Sequence, residues 1–299
     1  MTQPFPLSVV VPCHNEEDNV RPCYAEIIDA LGGCEPLQVL FVDDGSTDGT
    51  LAEIRELAAG DPRVGYLSFS RNFGLEAAFS AGYAYAAQPW ILHLDADLQF
   101  PPAEGLRLID KALEGYDAVF GVRPDRQDSG LRKLASYAHD RIARGLLGIQ
   151  LPPGATCFRL VRADLARRIV RMRLGTPYFL ATVPKLTRAW TTVPTAHRPR
   201  LRGASKVSVR GLAKHSVELF VSYSDRLLTF AAVGCLAGAA VALAGFPGIG
   251  LALGLLALAL VARYLVHLSR GGPRPPQFLI RESNLAVAAT DLLHPEETP

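Results

Sequence analysis

Between Arg226 and Arg263 the chain runs 36 residues without a charged side chain or a histidine. As one straight helix that stretch would measure about 54 Å, far more than a hydrocarbon core of about 30 Å. It suits two short passes of about 18 residues each, with Gly245-Phe246-Pro247-Gly248 near the middle as the turn. Arg226 on one flank and Arg263 and Arg270 on the other put both ends in the cytoplasm by the positive-inside rule. A hairpin satisfies that rule and a single crossing does not. Gly234 with Gly238, and Gly250 with Gly254, each have GxxxG spacing, which lets two helices approach closely or pack against a second copy of the chain. The competing reading is a pair of buried helices in a soluble domain, although such helices normally keep one polar face.

Upstream of this stretch the pattern alternates. Strands are expected over residues 7–11, 38–42, 66–70 and 91–94, with helices over 17–31, 49–59 and 75–87 between them. Such alternation argues for an α/β domain with a parallel sheet, helices on both faces, and ligands at the carboxyl ends of the strands. At 299 residues the chain can hold one large domain or two small ones. Its 31 basic and 29 acidic residues give no electrostatic case for nucleic acid. The five cysteines lack CxxC or zinc spacing and read as reduced thiols. No basic n-region precedes the first strand, so no cleavable signal is expected. Residues 205–224 interleave apolar positions with Lys206, Arg210, Lys214 and His215. They read as a basic amphipathic helix, lying either at a membrane surface or against the sheet, and the adjoining hairpin favours the membrane.

Three segments at expected strand ends carry chemistry. Asp95-Ala96-Asp97-Leu98-Gln99 follows the apolar strand 91–94 and offers two carboxylates and an amide oxygen at alternate positions. That set suits Mg²⁺ or Mn²⁺, and a divalent ion there suggests a nucleotide diphosphate as guest. Taken alone, the two aspartates could merely cap a helix. Val11-Pro12-Cys13-His14-Asn15-Glu16 and Val42-Asp43-Asp44-Gly45-Ser46-Thr47-Asp48-Gly49-Thr50 end the first two strands, with carboxylates placed to accept from a base imide or ribose hydroxyl.

Together these segments resemble the family 2 glycosyltransferases of GT-A (Rossmann-like) fold. The resemblance is closest to the polyprenyl-phosphate group that includes dolichol-phosphate mannose synthase, bactoprenol glucosyl transferase and undecaprenyl-phosphate aminoarabinose transferase. It extends through Ser70-Arg71-Asn72-Phe73-Gly74, Gly115-Tyr116-Asp117, Arg126-Gln127-Asp128-Ser129 and Arg200-Leu201-Arg202-Gly203-Ala204-Ser205-Lys206, the last similar to the family's RxxGxSK segment. The resemblance implies that Pro12, His14, Glu16, Asp43 and Asp95 hold base and ribose, and that Asp97 and Gln99 ligate Mg²⁺ or Mn²⁺. It further implies that Arg123, Arg132 and Ser136 hold the acceptor phosphate, while Arg200, Ser205 and Lys206 close over the donor phosphates. Asp97, Arg123, Arg132 and Ser136 are thus the expected catalytic set. Many relatives place an acidic residue just before Phe158-Arg159-Leu160; Cys157 stands there instead, so no carboxylate base is assigned to that position.

The implied activity is transfer of one sugar, with inversion, from a UDP- or GDP-sugar to a polyprenyl phosphate at the cytoplasmic face of the membrane. The expected division is a catalytic domain over residues 1–204, a juxtamembrane segment over 205–226, a transmembrane hairpin over 227–268 and a cytoplasmic tail over 269–299. Processive polysaccharide synthases of the same fold carry QxxRW, whereas Trp190 here follows Arg188-Ala189. An inactive homologue acting as a membrane scaffold is the third reading, and the intact polar motifs argue against it.

Overall fold

The computed structural model describes residues 4–123, 141–172, 178–198, 216–217, 219–224, 226–269, 278–288 and 291. The chain divides into two compact units, one comprising Met1–Asp125, Pro152–Ala204 and Pro275–Pro299, the other Arg126–Leu151 and Ser205–Arg274.

The first unit is built on strands β1 (Leu7–Cys13), β2 (Leu37–Asp43), β3 (Val64–Phe69), β4 (Trp90–His93), β5 (Ala118–Val122), β6 (Ala155–Arg162), β7 (Trp190–Pro194) and β8 (Ile280–Ser283). They form one sheet in the order β7-β5-β6-β4-β1-β2-β3-β8. Helices α1 (Glu17–Leu31), α2 (Thr50–Gly60), α3 (Leu75–Tyr85), α4 (Glu104–Ala112), α5 (Ala163–Arg171) and α6 (Phe179–Leu186) cover it. Every residue of β1 and β2 is buried, which explains why they read as continuous apolar runs. Their side chains alternate between two cores. Val9 and Val11 pack with Ile27 of α1, Ile54 of α2 and Leu108 of α4, while Val10 and Leu40 pack with Phe79 of α3, Ile169 of α5 and Phe179 of α6.

The expected parallel sheet is mixed. β4, β1, β2 and β3 run parallel, but β6 lies antiparallel between β4 and β5, and β8 antiparallel beside β3. The chain leaves β5 at Val122 and re-enters the sheet at Ala155, directly opposite Val122. It therefore starts β6 at the end where β5 stopped and runs back the other way.

In the second unit α7 (Leu227–Leu243) and α8 (Pro247–Ser269) pack against each other. The close approach expected of the small residues is present: a Cβ on Gly238 would lie 2.7 Å from the Gly250 carbonyl oxygen. Only α8 is long and apolar enough to cross a membrane among the described residues, over Pro247–Val266 with mean hydropathy 2.2; α7 is apolar but shorter. At the start of α7, Ser224 Oγ donates to the Leu147 carbonyl at 3.1 Å and Arg226 Nη1 to the Gly145 carbonyl at 3.2 Å. These bonds cap a π-helical turn over Arg141–Leu146, which exposes Ile142 and Leu146.

Gly82 of α3 lies directly on Val10 of β1, where an added Cβ would overlap Val10 Cγ1. A β-branched strand residue cannot swing aside. Gly82→Ala should therefore destabilise the first unit by about 1–3 kcal/mol, read as a lowered denaturation midpoint. An unchanged midpoint would contradict the close helix–strand contact.

Candidate functional site

Parallel strands β4, β1, β2 and β3 are consecutive in the sheet, so their carboxyl ends share one edge. The three strand-end segments read from the sequence as carrying chemistry leave from that edge, and so does the Ser70–Gly74 loop after β3. The loop after β1 and the turn after β2 are laced together. Asn15 has a left-handed backbone (φ 54°), its N–H donates to Ser46 Oγ at 3.0 Å, and its side-chain oxygen accepts from the Thr47 N–H at 2.9 Å. His14 Nδ1 lies 2.9 Å from the Asp44 carbonyl. A carbonyl only accepts, so Nδ1 carries the hydrogen of this bond. Glu16 accepts from Asn19 Nδ2 at 2.6 Å, and its N–H donates to Thr50 Oγ1 at 2.8 Å. Pro12 is buried within β1.

Asp43 is fully buried and each of its oxygens has a protein donor, Ser46 N–H at 3.0 Å and Ser68 Oγ at 2.8 Å. Each oxygen keeps a second lone pair, but the side chain has no exposed surface. Asp44, to which the sequence reading gave no separate role, joins this turn to the loop after β3 by accepting from the N–H groups of Phe73 at 2.7 Å and Gly74 at 2.9 Å. Burial raises its carboxyl above the ordinary range, against the pull of those two donors. Gly45 (φ 64°) lies against the same loop, where a Cβ would come 2.6 Å from Asn72 N. Only glycine fits both the conformation and the space.

After β4 the chain turns sharply at Leu98, buried and left-handed at φ 57°. A leucine there stores strain of about 1–3 kcal/mol. Asp97 and Gln99 flank it, with the Gln99 N–H donating to Asp97 Oδ1 at 3.1 Å. Asp95 feels burial pushing its carboxyl up, but His93, Arg159 and Arg123 outweigh that and hold it below the ordinary range. The turn is braced by the 195–198 segment: the Arg198 N–H donates to the Gln99 carbonyl at 2.8 Å, and His197 meets the Phe100 ring edge-on at 5.3 Å. Arg123 places its guanidinium 5.1 Å above that same ring. Burial and the Arg123 charge lower the His197 pKa against the opposing pull of Asp97. His197 was missed from the sequence, although it lies just ahead of the RxxGxSK segment.

Among the described residues no three His, Cys, Asp or Glu side chains converge as a metal cage. Asp97 and Gln99 nevertheless supply the hard oxygens that suit Mg²⁺ or Mn²⁺, and an ion shared with a diphosphate needs only one or two protein ligands. Of the expected site residues, Pro12 and Asp43 lie at the ends of β1 and β2, and His14, Glu16, Asp95, Asp97, Gln99 and Arg123 follow the ends of strands at this edge. Arg132, Ser136, Arg200, Ser205 and Lys206 lie outside the described residues.

Beneath the β4 turn is a buried polar cluster that sequence reasoning did not find. Arg159, opposite His93 in the β6–β4 pairing, is 3% exposed. It donates to Tyr83 Oη at 2.8 Å and lies 5.0 Å and 4.9 Å from the ring centres of Phe79 and Phe179. His93 Nε2 is 3.5 Å from Asp95 Oδ1, an electrostatic contact longer than a good hydrogen bond. Burial pushes the His93 pKa down to about 4, so the ring is neutral at pH 7. Burial pushes Cys157 up to about 12, which keeps its thiol protonated. Glu76 is pushed up to about 7 by burial, against the pull of Arg159, and its Oε2 has no hydrogen-bond partner among the described residues.

A carboxyl whose pKa is raised by folding stabilises the fold fully below its unfolded value near 4.5 and progressively less as pH rises through 7. Glu76→Gln removes that dependence. The melting temperature of the variant should gain on the wild type between pH 5 and pH 8; parallel curves would contradict the assignment.

The profile of the family described as Glycosyl transferase family 2 matches residues 8–170. An uncharacterized glycosyltransferase, YkcC, of Bacillus subtilis (strain 168) is 32% identical over 77% of this chain and 72% of its own length. The undecaprenyl-phosphate 4-deoxy-4-formamido-L-arabinose transferase of Pectobacterium atrosepticum is 33% identical over 80% of this chain and 73% of its own. Among solved structures, glucosyl-3-phosphoglycerate synthase from Mycobacterium tuberculosis with UDP has a TM-score of 0.51 at 21% identity, covering 73% of this chain and 78% of its own. A mannosyltransferase from Pyrobaculum calidifontis with GDP-Man and Mn²⁺ has a TM-score of 0.51 at 18% identity, covering 91% of this chain and 77% of its own. At such identities these two structures establish the shared fold.

Proposed function

We propose that this chain, which belongs to glycosyl transferase family 2, transfers one sugar from a UDP- or GDP-sugar to a polyprenyl phosphate, with inversion, at the cytoplasmic face of a membrane. The observation that carries the reading is the single sheet edge on which the interlocked 14–16 and 43–47 loops stand beside the Asp97–Gln99 turn. The first pair supplies acceptors and backbone donors for a base and ribose. Asp97 and Gln99 would hold the divalent ion, whose charge offsets that of the leaving diphosphate. Arg123, whose charge acts on Asp95 and on His197, is assigned with Arg132 and Ser136 to the acceptor phosphate. Arg200, Ser205 and Lys206 are assigned to the donor phosphates.

A phosphate acceptor is already an anion at pH 7, so the protein's task is to align it and balance its charge rather than to remove a proton. The chemistry at Cys157 is consistent with this. A thiol held protonated by burial is no base, and none is needed at that position. The acceptor class is drawn from the relative named as an undecaprenyl-phosphate transferase.

Membrane attachment by a hairpin has support from strand pairing. Residues before and after the apolar helices belong to the same sheet, since β8 pairs with β3. A folded sheet occupies one side of a membrane, so the chain between must cross an even number of times. If α8 crosses once, α7 makes the return, and both termini lie on the catalytic side. Tags on the two termini should be cleaved from the same face of sealed vesicles, whereas a cysteine placed at Ala244 should be labelled from the other. Tags on opposite faces would overturn the hairpin.

The assignment of the two substrates is tested by paired variants. Asp97→Ala should abolish transfer without loss of fold. Arg132→Ala should lower transfer efficiency tenfold to hundredfold, as loss of one charge-assisted hydrogen bond costs about 1.5–3 kcal/mol, with donor affinity by calorimetry unchanged. Collapsed donor binding with an unchanged acceptor dependence would move Arg132 to the wrong substrate and overturn its role.

A further inference from the structure

The segment that follows α8 returns to the sheet at the place where the nucleotide loops are tied. β8 pairs with β3, Leu67 opposite Ser283 and Phe69 opposite Ile280, and the Ser70 N–H beyond the end of β3 donates to the Leu279 carbonyl at 3.0 Å. Phe278 stacks on Phe69 with ring centres 5.4 Å apart and planes within 5°. Phe69 meets Phe73 edge-on at 5.7 Å, and the N–H groups of Phe73 and Gly74 donate to Asp44. An unbroken line of contact therefore runs from Phe278 through two rings to the Asp43–Ser46 turn.

Polar ties hold the other end of β8. Asn284 Oδ1 accepts from the Tyr66 N–H at 2.8 Å and its Nδ2 donates to the Val64 carbonyl at 3.0 Å. Glu282 accepts from Arg55 Nε and from Tyr66 Oη, both at 2.7 Å. This pairing also covers the edge that β3 would otherwise expose. The loop it reaches is open to solvent at Arg71 and Asn72, so its shape depends on what grips its ends.

We propose that Phe278 and strand β8 are positioning elements of the donor site, holding the Ser70–Gly74 loop in the one arrangement in which its backbone closes on Asp44 and Gly45. The inference rests on the reading of this edge as the nucleotide site, and concerns donor binding rather than the transfer step. Without the strut the loop samples other arrangements, and apparent donor affinity falls by the fraction of time it is correctly placed.

The test uses the full chain in nanodiscs. Phe278→Ala should speed amide exchange at Phe73 and Gly74 by about tenfold or more while β1 and β2 stay protected. It should also raise the dissociation constant for UDP or GDP with Mn²⁺, and the donor KM, by about three- to tenfold with kcat unchanged. Phe278→Tyr, which keeps the ring, should restore wild-type values. Should Phe278→Ala fail to fold, Asn284→Ala, which loosens β8 through Tyr66 and Val64, should shift both readouts in the same direction. Unchanged exchange at Phe73 and Gly74, or protection lost equally across β1 and β2, would overturn the proposal. Exchange is read without nucleotide, so a wild-type protein that binds neither UDP nor GDP would defeat the functional reading while the exchange comparison still decides the strut.

Discussion

The buried carboxylate of Asp44 is the joint on which the loops at the carboxyl ends of β1, β2 and β3 depend. It stands one residue beyond β2, accepts two backbone N–H groups from the loop after β3, and through its own carbonyl meets the His14 ring after β1. Three strand ends are thereby locked in one geometry. Burial works against its ionisation, and breaking its bonds would leave polar groups unpaired in the interior, a cost of about 1–3 kcal/mol for each. The β4 turn, with Asp97 and Gln99, is set beside these loops by the pairing of β4 with β1.

Charge is distributed across the site in a way that suits anionic substrates. Arg159 and Arg123 both lower the Asp95 carboxyl, and Arg159 itself donates to a tyrosine hydroxyl and lies against aromatic faces. A buried cation so placed pre-pays its desolvation when the protein folds, and adds a fixed positive potential near Asp95. Neutral His93 and the protonated Cys157 thiol contribute no competing charge at pH 7.

Much of this was legible in the sequence wherever local pattern decides structure. β1 and β2 read clearly because they are buried on both faces, and the turn at Asp97–Gln99 because it follows the short apolar strand β4. The contact of α7 with α8 follows from the small residues at Gly238 and Gly250. What was not legible depends on residues far apart in the chain. The direction of β6 is set by where the chain re-enters the sheet opposite Val122, and β8 is a short polar strand whose partner lies more than 200 residues upstream. Arg159 gives no sign in its own neighbourhood that Tyr83, 76 residues away, receives its hydrogen bond. Asp44 and His197 were hidden by their neighbours, since each stands beside a residue or segment to which the motif had already given a role.

The central claim is that this sheet edge hands a single sugar to a lipid phosphate. Its most direct test is to incubate the full chain with Mn²⁺, undecaprenyl phosphate and a panel of UDP- and GDP-sugars, and to weigh the lipid products. The account predicts one new lipid, heavier than the acceptor by one sugar residue and absent when EDTA is in excess. Free sugar alone, a polymer ladder, or an undiminished product in EDTA would contradict it.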